Sequence, residues 1–490
     1  MSDVTLPRYT MRTGALFTNA VAASSPFAVL TGGITVMLGV LGVGGTPLAF
    51  LLVMFLLRLM ITPYTAVGRH VKHAAPFYAQ LTRGLGPTAG LVGAGWVLVG
   101  YNALQISLYG LIGNVAVGLL GGFWWWWAAV AWLLVLALGH YSGERVAKVL
   151  SVLLALEITV LGLFTIAGFA RPAGGVISMA VWSPSRLLVP GAVAGALVFA
   201  FACFSGIDSV LSYGEEAVGD RPMSRDRPMS RASGAAVWAC GVGYALVAWA
   251  YISWIGLDHL DLATKDAGQP LALLDGMFGP EIAALATGLL LTSILAAMTA
   301  FHNAVARYVC AMARENVLPA SWRLVSRGIE GGAPLGGSMV QAALAVVVVA
   351  GFLIGGAAPM TMFTWLSSIG AVCMVLLLTA ACWSARSFFE AGRGGAEPAR
   401  IRQIAPFAGG IAGLLVLLFM LGNLGKLLGT DEGSRLPWLI PGLLVLAALI
   451  AVAAGAWLRH ARADVYAGIS YGVPNPVTTP HDARLGAIDV

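Results

Sequence analysis

The chain has 490 residues, of which 59% are hydrophobic and 10% are charged, and its mean hydropathy is +0.85. Soluble globular proteins carry about 25% charged residues, so this composition excludes a soluble multidomain protein, a disordered chain and a nucleic-acid-binding protein. The formal net charge of +6 is too small to indicate a partner by itself. The sequence predicts an all-α polytopic membrane protein.

Twelve apolar stretches are long enough to cross a bilayer as helices, because a crossing needs about 20 residues and lipid offers the backbone no hydrogen-bond partner. They lie at 14–42, 46–68, 87–120, 124–142, 147–169, 188–217, 234–256, 281–306, 334–356, 360–383, 406–426 and 437–458. With the N-terminus in the cytoplasm, the predicted cytoplasmic segments hold 22 of the Lys and Arg residues and the outer loops hold five. The positive-inside rule requires such a bias. We therefore predict twelve spans with both termini cytoplasmic.

Three charged residues, Arg58, Glu157 and Asp208, fall inside the predicted spans. A charge at the centre of a spanning helix costs about 2.5–3.5 kcal/mol on insertion scales. Each side chain is therefore expected to face protein or water rather than lipid. Each is interpreted either as a member of a buried ion pair or as a functional group, and Glu157 is a conceivable partner for Arg58.

Two predicted spans contain helix breaks. The first span has Ala23-Ser24-Ser25-Pro26, where the proline lacks an amide hydrogen and two hydroxyls can compensate. The sixth span has Phe204-Ser205-Gly206 followed by Asp208. Breaks five spans apart are typical of inverted-repeat transporters, in which helix N-termini hold an anionic group and freed carbonyls hold a cation. Asp208 either holds the second break through backbone amides or contacts a substrate amine.

Three longer runs resemble the amino acid–polyamine–organocation (APC) superfamily. They are FACFSGIDSVLSYGEEA at 201–217, RYVCAMARENVLPASW at 307–322 and HVKHAAPFYAQLTRGLGPTAG at 70–90. The resemblance implies the leucine-transporter fold, with inverted five-helix repeats at 14–169 and 188–383. It further implies a cytoplasmic loop at 384–405, two appended helices within 406–458, and cytoplasmic tails at 1–13 and 459–490.

The resemblance also implies a substrate site at the two breaks. Backbone amides at Ala23, Ser24, Ser25 and Pro26 would receive a substrate carboxylate, and carbonyls at Phe204, Ser205 and Gly206 would take its amino group. Gln105, on the third span, either lines this site or packs between helices.

One departure from the superfamily pattern bears on the coupling ion. Glu157 stands where many proton-coupled members carry a lysine, and Thr292 and Ser293 stand where hydroxyls of the eighth helix approach the same spot. A carboxylate there can bind a proton, if burial raises its proton affinity, or it can ligate a metal cation.

The sequence has no motif for ATP-driven transport, metal binding or serine catalysis. There is no Gly-rich phosphate loop before Lys-Ser/Thr, no metal spacing of His or Cys, and no serine elbow. We therefore predict neither an enzyme nor a cofactor. The expected function is secondary active transport of amino acids or related amines across the plasma membrane by alternating access. The expected partners are the small-molecule substrate, a coupling ion (a proton, or alternatively sodium) and membrane lipid. A transporter of another amine or of a nucleobase, and a gated channel, remain as alternatives.

Overall fold

The computed structural model describes residues 12–139, 143–214, 227–265, 269–325, 333–395, 397–428 and 434–471, and they contain helices and no strands. The α-helices are α1 Thr13–Ser24, α2 Pro26–Ala28, α3 Thr46–Gly68, α4 Pro76–Leu85, α5 Pro87–Leu120, α6 Trp124–Leu138, α7 Gly143–Ala170, α8 Pro184–Leu187, α9 Val193–Cys203, α10 Pro228–Ile255, α11 Leu262–Lys265, α12 Gln269–Phe278, α13 Pro280–Arg314, α14 Leu335–Ile354, α15 Pro359–Glu390, α16 Ala405–Gly422, α17 Leu424–Leu427, α18 Leu439–Ala461 and α19 Ala463–Ala467. The predicted all-α fold class is confirmed. Most of the predicted terminal tails, at 1–11 and 472–490, lies outside the described residues, as does the run 215–226.

Eleven helical segments within the described residues are long and apolar enough to cross a membrane. They correspond to all the predicted spans except 124–142, where α6 has 15 residues. That length falls short of the roughly 20 residues that a crossing requires. The multi-pass architecture is confirmed, whereas the count of twelve and the inverted repeat stay predictions.

Both predicted helix breaks are present. Ser25 separates α1 from α2 in the left-handed region, with φ of 50°, and Pro26 begins α2 where a missing amide hydrogen costs nothing. In the other break, α9 ends at Cys203 and a 3-10 helix begins at Ile207, after Gly206 with φ of 99°.

The two breaks touch each other. A Cβ at Gly206 would lie 2.8 Å from the Cβ of Ala23. The absence of a side chain at Gly206 therefore permits both its positive φ and the contact between the breaks.

Close helix packing centres on α5, which lies against α4, α6, α13, α15 and α18. Small residues permit this approach, as is usual between helices in a membrane. A Cβ at Gly110 would lie 2.3 Å from the carbonyl oxygen of Pro359, and one at Gly100 would lie 2.6 Å from the Cβ of Cys373. α5 is thereby held close against α15.

Candidate functional site

A cavity of ≈ 60 Å³ lies at the two helix breaks. A single buried water needs at least about 10–15 Å³, so the cavity is larger than a one-water site. It is lined by Ala23, Ser24, Ser25, Ala28, Val29, Gly33, Leu104, Ser107, Leu108, Leu111, Phe199, Ala202, Cys203, Ser205, Ala297, Phe301, Phe363 and Ser367. Four of the residues predicted to bind substrate are therefore in the lining, namely Ala23, Ser24, Ser25 and Ser205.

The lining contains five serines and no charged side chain. The hydroxyl of Ser24 lies 2.6 Å from that of Tyr244. The hydroxyl of Ser205 has two acceptors within reach of its one hydrogen, the carbonyl oxygen of Phe201 at 3.3 Å and the sulfur of Met374 at 3.2 Å. A charged group in this cavity would therefore meet backbone dipoles and hydroxyls rather than a countercharge on a lining side chain.

Glu157, on α7, caps the N-terminus of α2. Its Oε1 accepts hydrogen bonds from the backbone amide of Phe27, at 2.5 Å, and from the hydroxyl of Ser293, at 2.6 Å. Pro26 has no amide hydrogen, and Ser25, the N-cap residue, makes no side-chain cap. The carboxylate of Glu157 thus satisfies an amide that the broken helix leaves open. Because α2 continues into π-helical turns that reach Val40, the carboxylate lies at the positive end of the dipole of that whole helical segment.

A chain of hydroxyls joins Glu157 to the cavity. The oxygens of Ser25 and Ser293 lie 2.7 Å apart. A hydroxyl has one hydrogen, and that of Ser293 is donated to Glu157. The hydroxyl of Ser25, a residue of the cavity lining, is therefore the donor to Ser293.

The other residues predicted near Glu157 do not contact it. The hydroxyl of Thr292 donates to the carbonyl of Leu289, one turn earlier in α13, at 3.0 Å. Arg58 donates to the hydroxyl of Thr62, so the conceivable Arg58–Glu157 pair does not form. Within the described residues there is also no group of three or more His, Cys, Asp or Glu side chains placed to hold a metal ion.

Asp208 lies in the first turn of the 3-10 helix that follows the second break, and it is 1% exposed. Its Oδ1 accepts a hydrogen bond from the amide of Gly206 at 3.2 Å, and its Oδ2 accepts one from the hydroxyl of Tyr101 at 2.5 Å. The carboxylate therefore binds the break itself and ties it to α5. Asp208 is not in the cavity lining.

Gln105 and Phe204 also lie outside the cavity lining. The amide oxygen of Gln105 accepts from Gln341 at 2.6 Å, and its nitrogen donates to the hydroxyl of Tyr109 at 3.1 Å. The ring of Phe204 is fully buried and packs edge-on against Tyr244, with ring centroids 5.7 Å apart. Both side chains therefore pack between helices and do not line the cavity. Pro26 and Gly206 shape the breaks without facing the cavity.

Sequence reasoning did not identify several residues that form the site. Ser107, Phe363 and Ser367 line the cavity, and Tyr244 holds Ser24 from α10. Ser107 lies one turn from Leu104 and Leu111 on one face of α5, so helical spacing could have placed it beside the cavity. The Ser24–Tyr244 bond joins residues 220 positions apart, and no local pattern indicates it.

Comparisons with known proteins agree with this architecture. Residues 11–457 match the family described as amino acid permease. No curated protein matches the sequence.

Two solved structures are similar in fold. One is a mutant of the manganese transporter of Eremococcus coleocola, at 14% identity and a TM-score of 0.54, covering 95% of this chain and 99% of that one. The other is MhsT in complex with L-phenylalanine, at 14% identity and a TM-score of 0.59, covering 85% of this chain and all of that one. The leucine-transporter fold and the predicted secondary transporter are thereby confirmed, and the chain belongs to the amino acid permease family.

Proposed function

We propose that this protein carries amino acids or related amines across the plasma membrane by alternating access. The observation that carries the proposal is the cavity enclosed by both helix breaks. At such breaks a substrate carboxylate is attracted to a helix N-terminus, and its amino group to freed carbonyls. Ser24 and Ser25 lie on the first side of the cavity, and Cys203 and Ser205 on the other.

The same proposal includes the domain arrangement. Residues 14–169 and 188–383 act as inverted repeats, and residues 406–458 form the two appended helices. The termini and the loop 384–405 face the cytoplasm. The bias of basic residues toward that side supports this orientation.

The coupling ion, we propose further, is a proton carried by Glu157. The carboxylate caps α2, and the cavity that would receive a substrate carboxylate begins at Ser25, in front of the same helix end. Two negative charges near one helix N-terminus repel each other. Substrate binding therefore favours protonation of Glu157, and protonation of Glu157 favours substrate binding by the same factor.

Flux measurements on purified protein in proteoliposomes test the function. We expect saturable uptake, and counterflow when the lumen is preloaded with substrate. Competition by a panel of small amino acids, other amines and nucleobases assigns the substrate class. Conductance that does not saturate and shows no counterflow would make the protein a channel and overturn the proposal.

A further inference from the structure

Arg58 is a cation on a spanning helix without an acidic partner among the described residues. It lies near the middle of α3 and is partly exposed. Its Nη1 donates to the hydroxyl of Thr62 at 2.6 Å, and no carboxylate in the described part of the chain lies within ion-pair distance of it. The predicted buried ion pair is therefore not observed there. A charged side chain at this depth needs an anion or water.

The guanidinium reaches toward the helix ends predicted to be cytoplasmic. Thr62 is six residues, or about 9 Å, from the end of α3 at Gly68. On the neighbouring helix the guanidinium lies over Gly234, 3.4 Å from the position of a Cβ, which is again six residues from the start of α10 at Pro228.

That depth matches the boundary between lipid headgroups and hydrocarbon. α10 has 28 residues and is about 42 Å long, close to the full thickness of a bilayer with its headgroups. The hydrocarbon core takes about 30 Å of that thickness, so each headgroup layer takes about 6 Å. With the ends of α10 placed at the outer limits of the two headgroup layers, the guanidinium lies about 3 Å inside the hydrocarbon, within reach of a lipid phosphate.

The surface around Arg58 combines positive charge with exposed aromatic rings. Phe55 and Trp238, which are 56% and 45% exposed, lie one turn deeper and meet edge-to-face with centroids 5.4 Å apart. The groove between α3 and α10 thus has the Arg58 cation above and exposed rings below, and it complements a phosphate headgroup with acyl chains.

We propose that the groove between α3 and α10 binds an anionic phospholipid of the cytoplasmic leaflet. Its phosphate would accept hydrogen bonds from Arg58, and its acyl chains would cover Phe55 and Trp238. The absence of a side chain at Gly234 lets the guanidinium pack directly against α10. This site lies on the outer surface of the helices and does not depend on the transported substrate.

Native mass spectrometry of the purified protein tests the site, with dioleoyl phosphatidylglycerol and dioleoyl phosphatidylcholine as probes. We expect the first phosphatidylglycerol to bind about fivefold more tightly than phosphatidylcholine, because phosphatidylglycerol carries a net negative charge whereas the choline cation of phosphatidylcholine offsets the charge of its phosphate. Arg58→Gln should remove the preference. The matched control Arg459→Gln, which removes an exposed arginine of α18, should keep it. An unchanged preference in Arg58→Gln, or none in the wild type, would overturn the proposal.

Two further measurements keep the proposal testable if Arg58→Gln does not fold. The fluorescence of Trp238 is the difference between the emission of the wild type and that of Trp238→Phe. Phosphatidylglycerol with brominated acyl chains should quench this fluorescence more strongly than brominated phosphatidylcholine does. Equal quenching would contradict the site. Inorganic phosphate should not displace the lipid at equal concentration, because it has no chains to cover the aromatic pair. Equal competition would show an anion site rather than a lipid site.

Discussion

Glu157→Gln is the substitution that separates proton coupling from a purely structural role. It keeps the shape of the side chain and one oxygen acceptor, and it removes both the charge and the proton that the carboxyl can carry. Hydrogen bonds to a charged group contribute about 1.5–3 kcal/mol and neutral ones about 0.5–1.5 kcal/mol. Because Oε1 accepts one bond from Phe27 in α2 and one from Ser293 in α13, the substitution weakens the hold on each helix by about 1–1.5 kcal/mol. Loss of the charge at the helix N-terminus adds about 0.3–1 kcal/mol.

The assay is accumulation of substrate in proteoliposomes under an imposed pH gradient with the membrane potential clamped at zero. One pH unit corresponds to 1.36 kcal/mol, so transport with one proton per substrate accumulates about tenfold per unit. We expect this response from the wild type and from the control Glu281→Gln, which removes an exposed carboxylate of α13. Glu157→Gln should show no response to the gradient while it still exchanges substrate, because exchange moves no net proton.

Ser293→Ala distinguishes the carboxyl from its hydrogen-bond network. It removes one of the two bonds to Glu157 but leaves the group that titrates, so the dependence on the pH gradient should persist at a lower rate. The reasoning is refuted if Glu157→Gln accumulates substrate as the wild type does. Accumulation that follows sodium at fixed pH, and is lost in Glu157→Gln, would make the carboxylate a cation ligand instead.

Two other carboxylates give independent predictions. Asp208→Asn should slow uptake of all substrates alike, since Asp208 holds the second break, and Tyr101→Phe should show a weaker form of the same defect. Initial uptake rates over the substrate panel check this prediction. A defect confined to cationic substrates would indicate that Asp208 contacts the substrate directly. Burial alone would raise the pKa of Glu315, but hydrogen bonding and charge from His73, with bonds from Tyr78 and the Ser470 amide, lower it below its usual value. A lowered pKa stabilises the fold above about pH 4.5 and the contribution is lost as pH falls through the folded value. Thermal unfolding should therefore show Glu315→Gln less stable than the wild type by roughly 1–3 kcal/mol at neutral pH, with the difference shrinking toward pH 4.

The breaks were predictable from the sequence because their causes are local. Pro26 removes an amide hydrogen wherever it stands in a helix, and Gly206 beside a charge indicates a backbone that leaves the helix. The partners of Glu157 were only partly predictable. Ser293 came from resemblance to the superfamily, whereas the amide of Phe27, 130 residues away, depends on how two helices are packed. Gln105 shows the same limit of sequence-based prediction. Helical spacing predicts which face of α5 carries its side chain but not which residues pack against that face.

Ser25 takes part both in the local helix break and in the long-range contact with α13. Its left-handed conformation costs a residue other than glycine roughly 1–2 kcal/mol, and a glycine would avoid that cost. A serine adds a hydroxyl that lines the cavity and donates to Ser293, with a bond worth about 0.5–1.5 kcal/mol that offsets much of the strain. The same hydroxyl therefore stabilises the break and links the cavity to Glu157. In the proposed mechanism, a substrate group that takes the hydrogen bond of the Ser25 hydroxyl weakens the chain that supports the ionised carboxylate, and this links occupation of the cavity to protonation of Glu157.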